Sequence, residues 1–193
     1  MLVCGRQAEE DARHAHDPAE LIRADYTRFT GVAQRAGVKP VILDHIGAPL
    51  GVGPYADRRA EVFALWRSAL VELSRCPNVA VKLGGLGMLF CGFGFHLNDT
   101  PPSSDELAAA WRPYIETCID AFGPERCMFE SNFPVDKQSC SYATVWNSFK
   151  KIAAGYSADE KAAMFFGTAN RIYRLRIGME NGDSPRAPAG KSA

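Results

Sequence analysis

The sequence predicts an α/β fold built on a parallel sheet, and two observations support this prediction. Three short apolar runs, at residues 38–44, 79–84 and 127–130, have the length and composition of buried strands. Between them lie longer stretches in which apolar residues recur at helical spacing. Strands that alternate with helices in this way form βαβ units, whose strands run parallel.

The length of the chain limits how much of a barrel it can form. A complete (β/α)₈ TIM barrel takes about 250 residues, whereas this chain has 193. Residues 176–193 are rich in Gly, Pro, Ser and charge, and we expect them to be a disordered, flexible tail. We therefore expect residues 1–175 to form a partial (β/α)₈ barrel, with residues 1–37 as a helical lead-in.

The first two helices are predicted from the residues at their ends. Pro18 fits the first position of a helix that runs to about Ala36, and Gly37 supplies its stop. The first strand follows directly. Asp57 is expected to cap a second helix, which continues to about Cys76 and precedes the second strand.

Two Ser-to-Glu pairs predict the later helices. Ser103 with Glu106, and Ser157 with Glu160, have the spacing of a capping box. The first box begins a helix that should end near residue 122, before the third strand. A further helix is expected over residues 142–154, ahead of the second box.

Composition excludes several classes of partner. Lys and Arg number 22, as do Asp and Glu, so the net charge is zero and no basic stripe indicates nucleic acid. The longest apolar run is far shorter than the roughly 20 residues that span a bilayer. The N-terminus becomes acidic too early for a signal peptide. We therefore expect a cytoplasmic protein that binds a small-molecule substrate, with no membrane or nucleic-acid partner.

Polar residues follow the first and third predicted strands at the point where each strand ends. His45 precedes a Gly-Ala-Pro turn and could ligate a metal, orient a carbonyl or transfer a proton, or it could only contact Asp44. Glu130 and Asn132 follow the third strand. Because active sites of parallel α/β barrels lie at the carboxyl ends of the strands, we expect these side chains to share one site.

Four further residues are candidates for substrate binding. Lys82, near the end of the second strand, could bind a carboxylate or stabilise an oxyanion, or could extend to the rim of the sheet. Arg58 and Tyr55 follow the His45 loop and could bind an anionic group, although a surface arginine at a helix start is common. His96 lies in the longest aromatic loop and could equally be a solvated side chain.

Two of these segments carry a resemblance to a known family. Residues 44–49 (Asp-His-Ile-Gly-Ala-Pro) and 128–134 (Met-Phe-Glu-Ser-Asn-Phe-Pro) resemble the fifth- and eighth-strand ends of the amidohydrolase-related TIM-barrel hydrolases, in particular the lactonase-like branch. The resemblance covers roughly residues 40–175 and only the C-terminal half of that barrel. It assigns the three strands as the fifth, sixth and eighth. It implies a hydrolase acting on a lactone or similar ester of a small carboxylated molecule.

The resemblance also implies roles for the site residues. The fifth-strand histidine, here His45, is an active-site residue of the family. Where most members carry an aspartate as general base and metal ligand, this chain has Asn132. An amide can neither accept the proton nor replace a carboxylate ligand well. Either Glu130 supplies the carboxylate, or Asn132 orients the water.

The metal-binding histidines of the family's first strand are not evident. Full-length relatives can hold zinc or manganese through a His-x-His pair that follows an apolar strand. His14 and His16 have that spacing, but they lie in a charged segment without a strand. We therefore expect no metal cofactor for this chain.

Two alternatives remain open from the sequence. The chain could be a hydrolase that forms homo-oligomers or pairs with a missing N-terminal half. It could instead be a catalytically incomplete fragment or paralogue that acts only as a binding or assembly module, since half a barrel exposes sheet edges.

Overall fold

In a computed structural model of the protein, residues 18–177 are described, with side chains from residue 24 onward. In chain order the elements are α1 (Pro18–Ala36), β1 (Val41–Leu43), α2 (Arg59–Ser74), β2 (Val79–Leu83), α3 (Ser104–Phe122), β3 (Cys127–Phe129), α4 (Tyr142–Ile152), α5 (Ala158–Ala162) and α6 (Thr168–Tyr173). A π-helical turn, Ala163–Gly167, joins the last two helices. His14, His16 and nearly all of the predicted tail lie outside the described residues.

The three strands form one parallel sheet in the order β1-β2-β3. Val41 pairs with Val79, and Val81 with Cys127. The predicted α/β fold with a parallel sheet is confirmed. Because all strands run in the same direction, the residues that follow them lie at the same edge of the sheet, as in the mouth of a barrel.

The strands are neighbours, which corrects one detail of the prediction. The resemblance assigned β2 and β3 as the sixth and eighth strands, and it did not place a seventh strand in this chain. In the described part of the chain no strand lies between residues 83 and 127, and β2 pairs directly with β3. The segment after β2 forms short 3₁₀ turns instead, at Leu89–Cys91 and Phe95–Leu97, because Gly92 and Gly94 between them adopt the left-handed conformation and interrupt any extended run.

Helix boundaries agree with the predictions in all but a few places. Both capping boxes are present, at the starts of α3 and α5. Asp57 is not the cap of α2: Arg58 occupies that position without a side-chain cap. The reason is that the helix begins at Arg59, and Val62 donates the first helical hydrogen bond to the Arg58 carbonyl (2.9 Å).

The two faces of the sheet differ in what they contact. Val79, Val81 and Leu83 of β2 are fully buried in one apolar core with residues of α2 and α3, including Trp66 and Trp111. Side chains alternate along a strand, so Ala80 and Lys82 lie on the opposite face, as do Met128 and Glu130. This second face ends at the edge that carries His45.

Within residues 18–177, no helix is both long and apolar enough to cross a bilayer.

Candidate active site

The turn after β1 has an unusual backbone conformation. His45 and Ile46 both adopt left-handed φ values, of 54° and 51°. This region is uncommon for any L-residue, and more so for a β-branched one, so the surrounding structure must hold it. The Ile46 carbonyl accepts hydrogen bonds from the Trp66 indole (2.8 Å) and the Tyr26 hydroxyl (3.4 Å). These contacts fix the direction in which His45 projects.

His45 contacts Glu130 across the end of the sheet. Its ring Nδ1 makes a short hydrogen bond with Glu130 Oε1, and its backbone N–H donates to the same oxygen (3.2 Å). The two residues are 85 positions apart in the sequence. With Nδ1 bound to the carboxylate, Nε2 is the ring nitrogen left to exchange a proton with a ligand.

Lys82 joins two carboxylates at the centre of this edge. Its ammonium lies 2.9 Å from Asp44 Oδ1 and 3.4 Å from Glu130 Oε2. The side chains of Lys82, His45 and Glu130 are 25%, 28% and 15% exposed, so all three reach solvent while being mostly shielded. The cluster Asp44–His45–Lys82–Glu130, called here the edge cluster, is therefore accessible to a ligand.

The electrostatics of the edge cluster favour protonated His45 and Lys82. The hydrogen bond to Glu130 raises the pKa of His45, burial opposes this, and the charges of Glu130 and Asp44 add to the increase. Burial alone would lower the pKa of Lys82. The hydrogen bond to Asp44 and the nearby carboxylates outweigh that effect and raise it. Lys82 is therefore a fixed cation at neutral pH.

Three glycines after β2 make room for the site. A Cβ added to Gly85, where φ is +73°, would lie 2.6–2.8 Å from atoms of the His45 side chain. A Cβ at Gly84 would meet the Glu130 backbone at 2.2 Å, and one at Gly87 would meet the Asp136 carboxyl at 2.8 Å. Real Cβ atoms do not approach this closely, so each glycine allows one acidic or basic side chain to approach the β2 loop.

Asn132 lies in the turn after β3 and contacts a carboxylate. Its backbone φ is 53°, which asparagine tolerates better than most residues. Its side-chain Nδ2 donates to Asp136 Oδ1 (2.8 Å), and the Gly87 N–H donates to Asp136 Oδ2 (3.2 Å). Asp136 is only 1% exposed. Burial raises its pKa to about 6, although the hydrogen bonds from Asn132 and Gly87 act to lower it.

The structure brings some predicted site residues together and leaves others apart. Glu130 is in direct contact with both His45 and Lys82. Tyr55 is buried at 4% exposure. Arg58 pairs with Glu61 at the start of α2 (2.8 Å from Nε), and His96 is exposed in a 3₁₀ turn. Substrate binding by these last three stays a prediction.

Sequence reasoning missed Asp136 and the glycines, and it considered Asp44 only as a neighbour of His45, whereas Asp44 pairs with Lys82. Asp136 lies two residues after the 128–134 motif and four after Asn132, a spacing that allows a contact across one turn and is the signal that could have identified it. Gly84, Gly85 and Gly87 have no side chain, so no catalytic or binding pattern in the sequence identifies them. Their function is instead steric, which only the contacts across the sheet reveal.

The described residues do not fit a metal site by themselves. A catalytic zinc usually has three protein ligands. Within residues 18–177, no group of three or more His, Cys, Asp or Glu side chains is arranged to hold a metal ion. His45 and Glu130 are also engaged with each other.

An imidazole–carboxylate pair lies at the C-terminal ends of the parallel strands, which is where α/β barrels carry their active sites. Such a pair is typical of an enzyme that uses acid–base catalysis. A family model described as Amidohydrolase matches residues 14–175. The chain belongs to the amidohydrolase family, as the resemblance predicted.

Two relatives match this chain over part of their own length. A protein of Sinorhizobium fredii named as uncharacterized is 42% identical over 135 residues, which is 70% of this chain and 39% of that protein. An L-fucono-1,5-lactonase of Burkholderia multivorans is 36% identical over 140 residues, 70% of this chain and 43% of that enzyme. The chain thus spans about two fifths of the length of these relatives.

Solved structures support the same family and the partial barrel. A crystal structure of an amidohydrolase from Burkholderia multivorans with bound HEPES has a TM-score of 0.67 at 29% identity, covering 79% of this chain and 50% of that one. A second structure of an amidohydrolase from this organism, with bound zinc, has a TM-score of 0.66 at 28% identity and the same coverage. The predicted fold, part of a TIM barrel, is confirmed.

Proposed function

We propose that the chain carries the acid–base centre of a hydrolase that opens a lactone or similar ester of a small carboxylated molecule. The observation that supports this most is the contact between His45 and Glu130, with Lys82 beside them. A carboxylate that binds one imidazole nitrogen and leaves the other available is the arrangement of a general base. The partly exposed edge cluster gives a substrate access to it.

In the proposed reaction, Nε2 of neutral His45 takes a proton from water while the water oxygen bonds to the ester carbonyl carbon. Glu130 stabilises the resulting imidazolium. The tetrahedral intermediate then collapses, the carbon–oxygen bond of the ring breaks, and His45 returns its proton to the leaving alkoxide. The product is a hydroxy acid.

Lys82 is proposed to stabilise the negative charge that develops on the carbonyl oxygen. An ammonium has three N–H donors, and two of them are directed at Asp44 and Glu130. The third is available for an oxyanion or a substrate carboxylate. Lys82 therefore favours a substrate that carries a carboxylate, or a reaction in which the carbonyl oxygen becomes an oxyanion.

The substrate class is proposed from chemistry and relatives together. An intramolecular ester needs no leaving-group pocket, which suits a site that opens at the edge of a sheet. An L-fucono-1,5-lactonase is among the relatives, and sugar-acid lactones are accordingly the first substrates to test. Arg58, Tyr55 and His96 are proposed to contact the remainder of the substrate.

The proposal can be tested with the purified chain and a panel of sugar-acid lactones that includes L-fucono-1,5-lactone. Acid release is followed with a pH indicator and corrected for spontaneous opening. We expect turnover above the blank for at least one lactone. His45→Ala should lower kcat by about 100-fold or more, since general bases contribute about 10²–10⁴-fold.

Lys82→Met and its matched control complete the test. Lys82→Met should lower kcat/KM, whereas Lys150→Met, which changes an exposed lysine of α4, should not. A chain without turnover on any lactone, or one whose turnover survives His45→Ala, would contradict the proposal. Loss of turnover together with stable association in light scattering would favour the binding-module alternative.

A further inference from the structure

Asp136 is a buried carboxylate with an ordered set of partners. Its carboxylate accepts two hydrogen bonds, from the Asn132 side-chain Nδ2 (2.8 Å) and from the Gly87 backbone N–H (3.2 Å). Its backbone N–H donates to the Asn132 carbonyl (3.1 Å), and its own carbonyl accepts from Ser139 (3.0 Å). These contacts fix Asp136 relative to both the β2 loop and the β3 turn.

The carboxylate decides which way the amide of Asn132 faces. A carboxylate only accepts hydrogen bonds, so the NH₂ group of Asn132 must face Asp136. Oδ1 then points away from it. Among the described residues, Oδ1 has no hydrogen-bond partner, yet it is absent from the buried unpaired atoms, which are the indole nitrogens of Trp111 and Trp146. The oxygen is therefore open to solvent as an acceptor.

Electrostatic interactions connect Asp136 with the edge cluster. Gly85, where an added Cβ would meet the His45 side chain, and Gly87, whose N–H donates to Asp136, are two residues apart in the loop after β2. The charge of His45 also lowers the pKa of Asp136, and that of Glu130 raises it. The turn that carries Asn132 directly follows Glu130. A water molecule at the amide oxygen of Asn132 would thus lie on the side of the sheet where His45 is proposed to take a proton.

We propose that Asp136 is a positioning residue that fixes the amide of Asn132, so that Asn132 Oδ1 accepts a hydrogen bond from the attacking water. This inference rests on the proposed hydrolase function. It explains how a neutral amide can serve in a position where a carboxylate is expected. The amide orients the water, and the proton goes to His45.

The inference is tested by exchanging the two side chains. In Asp136→Asn, the new amide can satisfy Gly87 and Asn132 together only with its oxygen toward Gly87 and its NH₂ toward Asn132, which reverses the Asn132 amide. We expect kcat to fall about 10–100-fold with little change in KM, as for a misplaced reactant. The double variant Asn132→Asp/Asp136→Asn restores an acceptor at position 132 and should recover at least about tenfold of that loss.

The control and a second readout separate this inference from the proposed function. Asp159→Asn, at an exposed position in α5, should leave kcat unchanged. In ¹⁵N-labelled protein, the Asn132 side-chain NH₂ signals, assigned by their loss in Asn132→Asp, should shift in Asp136→Asn. This readout tests the contact in protein that shows no turnover.

Each outcome bears on one of the two claims. If His45→Ala loses turnover but Asp136→Asn keeps its kcat, the positioning role is wrong and the proposed function stands. Unchanged Asn132 NH₂ signals in Asp136→Asn, or a double variant no better than either single variant, would also overturn the inference. If His45→Ala keeps turnover, the proposed function itself fails.

Discussion

At the scale of single residues, the site depends on pairs of charges that are only partly exposed to water. His45 and Lys82 share Glu130, and Lys82 also contacts Asp44. Such partly shielded pairs are screened less by solvent and salt than surface pairs are. Because Glu130 lies between His45 and Lys82, its removal would leave protonated His45 and Lys82 close together without the carboxylate that they share. The pH dependence of stability and activity should reveal this coupling.

Stability should depend on the protonation of His45. The folded state raises its pKa above the ordinary value of 6.5 through the bond to Glu130. This contribution is fully present below pH 6.5 and is lost as pH rises through the folded pKa. His45→Gln should therefore destabilise the chain more at about pH 5.5 than at about pH 9 in urea unfolding.

A double-mutant comparison checks that Glu130 is the cause. In a Glu130→Gln background, the extra loss at low pH caused by His45→Gln should largely disappear. Equal effects of His45→Gln at both pH values in the wild-type background would show that the pair does not stabilise the fold.

At the scale of elements, the site is assembled by loops that need particular backbone conformations. The turn after β1 is held by Trp66 of α2, and the loop after β2 makes room for His45 through Gly85. Neither Trp66 nor Gly85 is proposed to take part in the reaction itself. Both residues position His45, and catalysis requires the reacting groups to be held in a defined geometry.

Gly85→Ala tests this steric role. An alanine at φ +73° costs about 1–2 kcal/mol from backbone conformation alone, and its Cβ would also displace the His45 ring. We expect a larger loss in the free energy of unfolding than for Gly37→Ala, together with loss of turnover. Gly37 has a similar φ of +62° but no atom within 4 Å of an added Cβ, which makes it a matched control.

The outcome is measured by chemical denaturation and by the lactone assay. Equal losses for the two alanine variants would mean that the approach of Gly85 to His45 has no energetic consequence. Full activity in Gly85→Ala would show that the position of His45 is not critical.

Sequence patterns predicted the elements better than they predicted the contacts between them. The strands and the capping boxes depend on local residues, and the structure confirms the parallel sheet and both boxes. The strand predicted at residues 38–44 is shorter, Val41–Leu43, and the turn after it takes left-handed φ values at His45 and Ile46. Trp66 and Tyr26, each 20 positions from Ile46, hold the Ile46 carbonyl there. No local pattern contains that information.

The same reasoning explains the candidate site. The sequence identifies His45, Lys82 and Glu130, because a polar residue at the end of an apolar run can be recognised without knowing the fold. Asp136 was missed because it follows a turn and is buried, and buried aspartate looks like any surface aspartate in a sequence. Its importance arises from Gly87, 49 positions away.

At the scale of the whole molecule, the site exists only when the sheet is complete from β1 to β3. His45 follows one edge strand of the described sheet, Glu130 follows the other, and Lys82 lies between them. The helices on one face form the core that holds the strands in register. The proposed acid–base pair is thus a property of the tertiary structure, and it should be lost when the fold is lost.

The pH dependence of kcat/KM tests the central claim that His45 and Glu130 form the acid–base pair. From about pH 5 to 9, kcat/KM should rise as His45 becomes neutral, with a midpoint above 6.5 because Glu130 raises the pKa of His45. In Glu130→Gln the midpoint should move to lower pH and the plateau should fall. Glu125→Gln, an exposed position just before β3, should match the wild type. A rising limb whose midpoint is the same in wild type and Glu130→Gln would contradict the account.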